Sequence, residues 1–109
     1  MGPRTLKRGD VVLVALGKPR PAIVVQSDDV PTPMELLLCP LSTTSPDELV
    51  YRPTVQPTLG NRLKSPSQMM TDKVGPIPFS KIGAVIGRLD DSDLLNLNVA
   101  LAVILGLGG

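Results

Sequence analysis

The sequence predicts a mainly β fold, a small barrel with one helix packed on it at its C-terminal end. Short β-type runs are separated by turns rich in glycine and proline, and a single helical periodicity follows an acidic cluster late in the chain. The hydrophobic share is 42%, almost all of it Val, Leu, Ile and Met, because Tyr51 and Phe79 are the only aromatic residues. The 109 residues fit one domain, 1–109, large enough to bury a core and small enough that surface is a large part of it.

After a polar start, Asp10 to Leu16 reads as a strand, Gly17 to Pro19 as a turn and Pro21 to Gln26 as the antiparallel partner. Arg8-Gly9-Asp10 is read as the glycine turn that launches the first strand. Ser27 to Pro33 is an acidic loop, and Glu35 to Leu41 is a third strand whose continuous apolar character predicts burial on both faces. Val50 to Gln56 is a strand weakened by Pro53, and Ser67 to Thr71 a short one. Gly75-Pro76-Ile77-Pro78 is expected to block regular structure, Ser80 to Ile82 to form a helical turn, and Ala84 to Leu89 to return as a strand. Asp90-Asp91-Ser92-Asp93 supplies an acidic N-cap region, Leu94, Leu97, Leu101 and Leu105 recur at helical spacing, and Gly106 stops the helix. From Val99 onward the helix is apolar almost all round, so it is either deeply buried or shared with a second subunit.

Composition excludes several classes of chemistry. With no histidine and only Cys39, the usual transition-metal ligand sets and an internal disulfide are missing, and no cofactor is expected. Cys39 reads as a small buried hydrophobe, and the absence of a signal peptide points to a reducing, cytoplasmic setting. The longest uninterrupted apolar run, Val99 to Leu105, is far short of the roughly 20 residues that span a bilayer, so no membrane partner is expected. The net charge is +1 but unevenly spread. Arg4, Lys7, Arg8, Lys18 and Arg20 form one basic stretch, and Arg52, Arg62, Lys64, Lys73, Lys81 and Arg88 another. Between them lie only acids, Asp28, Asp29, Glu35, Asp47 and Glu48. If the basic stretches fold against each other, they make a positive face suited to nucleic acid or an acidic protein segment.

Lys18-Pro19-Arg20-Pro21 is the sharpest local signal. Each proline disfavours helical geometry in the residue before it, so Arg20 starts the second strand with its direction largely decided. A positioned arginine fits an anionic ligand, although most arginines at strand ends are simply solvated.

Arg20-Pro21-Ala22-Ile23-Val24-Val25, Pro40-Leu41-Ser42-Thr43-Thr44 and Ile82-Gly83 with Ile86-Gly87-Arg88-Leu89-Asp90, taken in order, resemble the MazF/PemK toxin family over nearly the whole chain. The resemblance implies an SH3-like barrel of the CcdB/PemK type, a homodimer, and a metal-independent endoribonuclease toxin that cleaves single-stranded RNA and inhibits translation. It also implies a cognate antitoxin, for which an acidic flexible segment would suit the basic face. The related CcdB branch poisons DNA gyrase by binding. A tryptophan near the C-terminus carries that binding, and this chain has no tryptophan. A member that binds without turnover is the third alternative.

Cleavage through the 2′-hydroxyl requires a base, charge stabilisation on the phosphate and a proton for the leaving oxygen. The resemblance places the catalytic arginine at Arg20, the catalytic hydroxyl at Ser42 with Thr43 beside it, and an aspartate base at Asp72. It departs from the family at Met70, where one branch has a second arginine, and in the first hairpin, where Gly17-Lys18-Pro19 replaces a longer loop. Lys18, Gln56, Asn61, Gln68 and Lys73 are the candidate RNA-binding residues, and Tyr51 and Phe79 the only aromatic platforms for a base.

Overall fold

The computed structural model describes residues 6–43, 47 and 49–108, so Arg4, Thr44 and Glu48 lie outside the described residues. Seven strands are described: β1 (Asp10–Val14), β2 (Arg20–Val24), β3 (Glu35–Ser42), β4 (Thr54–Val55), β5 (Ser67–Met69), β6 (Gly75–Pro78) and β7 (Ile82–Arg88). They form one curled antiparallel sheet in the order β4-β5-β3-β2-β1-β7, with β6 also paired to β3. Helix α1 (Asp91–Leu105) closes the chain.

Both faces of the central strands are covered, and the period of two along each strand sorts the side chains between two cores. Val11, Ile23, Cys39, Leu41 and Met69 share the larger core with Leu97 of α1. Val12, Val14, Ala22, Val24, Leu38 and Ile82 make the smaller core on the opposite face. Strand β3 is buried on both faces only in its second half. Glu35 and Leu37 lie on the same face as Cys39 and Leu41 but run beyond that core, and Leu37 is 40% exposed.

The expected irregularity at Gly75-Pro76-Ile77-Pro78 is corrected: these residues form β6, paired with β3 through Leu36↔Ile77 and Leu38↔Gly75. Prolines are tolerated on an edge strand where their missing N–H would face away from the ladder, and Pro76 and Pro78 are the exposed residues of β6. The strand expected over Val50 to Gln56 shrinks to Thr54–Val55. Residues 50–52 form a turn closed by the Arg52 N–H donating to Leu49 O at 2.9 Å, and Pro53 has no donor to extend the ladder.

α1 starts and stops as expected. The Asp90 carboxylate accepts the Asp93 N–H at 2.8 Å, and Gly106 (φ 72°) ends the helix with its N–H turned back on the last carbonyls. Leu97 and Ala100 are buried, whereas Leu95, Val99 and Val103 stand on an exposed apolar face. The helix is therefore not deeply buried.

Candidate active site

Arg20 opens β2 just after a tight hairpin through Gly17 (φ 94°). Alternation along β2 sets it on the face of Ala22 and Val24, and alternation along β3 sets Ser42 on the face of Leu38 and Pro40. Ala22 pairs with Pro40, so the same antiparallel register, carried two residues further, brings Arg20 opposite Ser42. A proline on the far side of Arg20 and a strand end at Ser42 leave both beside an opening.

That opening is a cavity of about 240 Å³. Lys18, Arg20, Ser42, Thr43, Met70 and Lys73 line it over an apolar floor that includes Val14, Ala22 and Leu38. Among the described residues no carboxylate lines it. The two basic stretches of the sequence thus converge here, Lys18 and Arg20 from the first and Lys73 from the second. A larger cavity of about 610 Å³, under the 27–34 loop, is bordered by Met34, Leu36 and Phe79, and among the described residues its one charged lining residue is Asp28. Phe79 packs on the smaller core.

Asp72 is not in the lining. It sits in a 3-10 turn, Thr71–Lys73, with one carboxylate oxygen accepting Arg52 Nε and the other Arg52 Nη2, each at 2.8 Å. Those hydrogen bonds hold its carboxyl below the ordinary carboxylate range. A base must be free to take a proton, and this group is both occupied and made less basic. Arg52, which in the sequence is only one charge of a basic stretch, is the partner that fixes Asp72. No local pattern announces a pair 20 residues apart on two different loops.

Three expected RNA contacts lie elsewhere. Asn61 is fully buried: its Oδ1 accepts the N–H groups of Thr58 and Leu63, each at 3.0 Å, and its Nδ2 donates to Gln56 O at 2.9 Å. It staples its own loop and offers nothing to a ligand, which corrects the expectation for that residue. Gln56 is exposed, contributes its carbonyl to that staple and does not line the cavity. Gln68 is buried in β5, where its Nε2 donates to Asp47 O at 2.9 Å. Cys39 is buried in the larger core, and burial, with the Asp72 charge adding to it, pushes its thiol up to about 12, so it supplies no nucleophile at neutral pH. Among the described residues no cluster of histidine, cysteine and carboxylate side chains could hold a metal ion.

Comparison with known proteins shows the family and the fold. A family model described as PemK-like, MazF-like toxin of type II toxin-antitoxin system matches residues 7–105. A probable endoribonuclease MazF of Mycolicibacterium smegmatis is 32% identical over 109 residues, covering 95% of this chain and all of that one. Among solved structures, the Mycobacterium tuberculosis toxin MazF-mt6 superposes with a TM-score of 0.77 at 26% identity, covering 89% of this chain and 96% of that one. A mycobacterial endoribonuclease in complex with its cognate antitoxin shares the fold at a TM-score of 0.81, with 20% identity over 96% of this chain and 99% of that one.

Proposed function

The chain belongs to the family of PemK-like, MazF-like toxins of type II toxin-antitoxin systems, and from that premise we propose that it is an endoribonuclease that cleaves single-stranded mRNA without a metal and so inhibits translation. The observation that carries this reading is the convergence of Arg20, Ser42 and Thr43 in one cavity that holds lysines and, among the described residues, no carboxylate. Residues 1–109 act as a single toxin domain.

In this mechanism the RNA supplies its own nucleophile, the 2′-hydroxyl next to the scissile phosphate. Its oxygen attacks phosphorus as its proton passes to water, the bond to the 5′-oxygen breaks as that oxygen takes a proton from water, and the products are a 2′,3′-cyclic phosphate and a free 5′-hydroxyl. Charge builds on the non-bridging oxygens as the phosphorane forms. The planar guanidinium of Arg20 grips two of them and stays charged at any working pH. A hydroxyl of Ser42 or Thr43 donates a further hydrogen bond where that charge develops. Lys18, on the mouth of the hairpin, attracts the neighbouring backbone phosphate.

The proposed partners follow from the same surface. An antitoxin with an acidic, flexible segment would occupy the cation-lined cavity and compete with RNA for Arg20. The exposed apolar face of α1 is the proposed homodimer surface. Among the described residues no helix is long and apolar enough to cross a membrane, and a toxin acting on mRNA works in the cytoplasm.

The test is incubation of the purified protein with a long unstructured RNA in EDTA, beside Arg20→Ala, with mapping of fragment ends. Cuts that leave cyclic phosphates and fall about 10²- to 10³-fold in Arg20→Ala are expected. Intact RNA from the folded wild-type protein would overturn the reading in favour of a binding-only poison.

A further inference from the structure

We propose that the Arg52–Asp72 ion pair is a positioning clamp that holds Lys73 in the cavity, where Lys73 serves as the second cation on the reacting phosphate. The inference rests on the ribonuclease reading and names a further residue for that reaction.

The argument starts from an interruption in the sheet. β5 and β6 pair with the same edge of β3, through Leu41↔Met69 and Leu38↔Gly75. Between those ladders the chain leaves the edge as the turn Thr71–Lys73, tied down by the Met70 N–H donating to Pro40 O and the Lys73 N–H donating to Met70 O, each at 2.9 Å. A 3-10 turn has three residues per turn, so its successive side chains point about 120° apart. Here each of the three has its own destination. Thr71 is buried and its hydroxyl donates to Tyr51 O; Asp72 is gripped by the Arg52 fork; Lys73 lines the cavity. Fixing the first two directions sets the Cα–Cβ bond from which the exposed Lys73 side chain reaches the cavity lining.

The clamp suits that task. Its bidentate geometry prescribes orientation as well as distance, and the side chains are only 16% and 27% exposed. Arg52 is itself held by the turn that its N–H closes on Leu49 O. Met70, which also lines the cavity, carries no charge, so on this side of Arg20 the cation must come from Lys73. Asp72 is then a positioning residue, acting through Arg52 and Lys73, and its lowered basicity fits an ion-pair partner better than a base.

The test is a mutant cycle read in two ways: single-turnover cleavage of a short RNA, and equilibrium binding of its 2′-O-methyl analogue, which cannot be cut. Thermal melts confirm that each variant is folded. Lys73→Ala should lose about 10²-fold in cleavage rate and Lys73→Arg should recover most of it. The salt slope of analogue binding should fall by about one in Lys73→Ala. Arg52→Ala and Asp72→Asn should each lose roughly tenfold, a fraction of the Lys73 effect, and neither should cost anything further in the Lys73→Ala background. Asp72→Asn should leave the shape of the pH–rate profile unchanged.

Three results would overturn the clamp: wild-type cleavage by Lys73→Ala, an Asp72→Asn loss that persists undiminished without Lys73, or disappearance of the profile's acidic limb in Asp72→Asn. If the wild type binds the analogue but cuts no RNA, the ribonuclease reading fails alone. The clamp is then decided by binding, supported if Arg52→Ala weakens it only when Lys73 is present and overturned if the two losses are independent.

Discussion

A single absent methyl group at position 87 lets two distant parts of the chain meet. A Cβ on Gly87 would lie 2.5 Å from Gly60 O and 2.6 Å from the Asn61 carbonyl carbon and oxygen, and these are backbone atoms that cannot swing aside. The contact is used: the Arg88 N–H donates to Gly60 O at 2.9 Å, so the Asn61-stapled loop docks on β7 there. Gly87→Ala should therefore push the loop off the strand, at about 1–3 kcal/mol for overpacking and a fall in Tm of roughly 5–15 °C. Thermal melts check this, and an unchanged Tm would sink the docking argument. At this scale the sequence was legible where one residue's chemistry suffices. The prolines around Arg20 announce an extended residue at the start of a strand, and β2 begins there, whereas only the resemblance points to Ser42. Asn61 and Asp72 were not legible in that way, because a polar side chain on a turn looks alike whether it faces solvent, a backbone staple or an arginine 20 residues away.

Elements are most legible where a local cap or period defines them. α1 has both, with Asp90 accepting the Asp93 N–H and Gly106 in the left-handed region. β6 had neither, since its prolines argue against a strand until the edge of β3 is known. Whether α1's apolar residues are core or interface also depends on what surrounds them. Leu97 is fully buried, yet Leu95 is 61%, Val99 56% and Val103 45% exposed on a helix with no basic residue in its last turn. A stripe of that kind is costly to leave in water and fits a second copy of the chain. Sedimentation velocity at micromolar concentration should show a dimer for the wild type and a monomer for Val99→Asp/Val103→Asp. Both substituted residues are exposed, so the variant should keep its fold. A wild-type monomer would remove α1 as the homodimer surface.

At the scale of the molecule, charge placement links the site to stability. Asp72 is held below the ordinary carboxylate range by the hydrogen bonds from Arg52, and Asp90 by the Asp93 N–H and the Ser92 hydroxyl. Both carboxyls bind a proton less readily in the fold than in the unfolded chain, where an aspartate titrates near about 3.9. Their stabilisation is therefore complete above about pH 5 and is lost as pH falls through the depressed folded values. Asp93 runs the other way. Desolvation, with the Asp90 charge adding to it, raises its carboxyl, so acid first relieves that site before the other two are lost. Two depressed groups against one raised group should leave Tm nearly flat from pH 7 to about 5 and falling below about 4. Asp72→Asn isolates the clamp. It should melt below the wild type at pH 7, and the gap should close as pH falls through the depressed value of the wild-type carboxylate. A gap that stays constant across that range would mean that Asp72 is not held as a carboxylate by Arg52. The turn that carries Lys73 would then be set by Thr71 and the backbone alone.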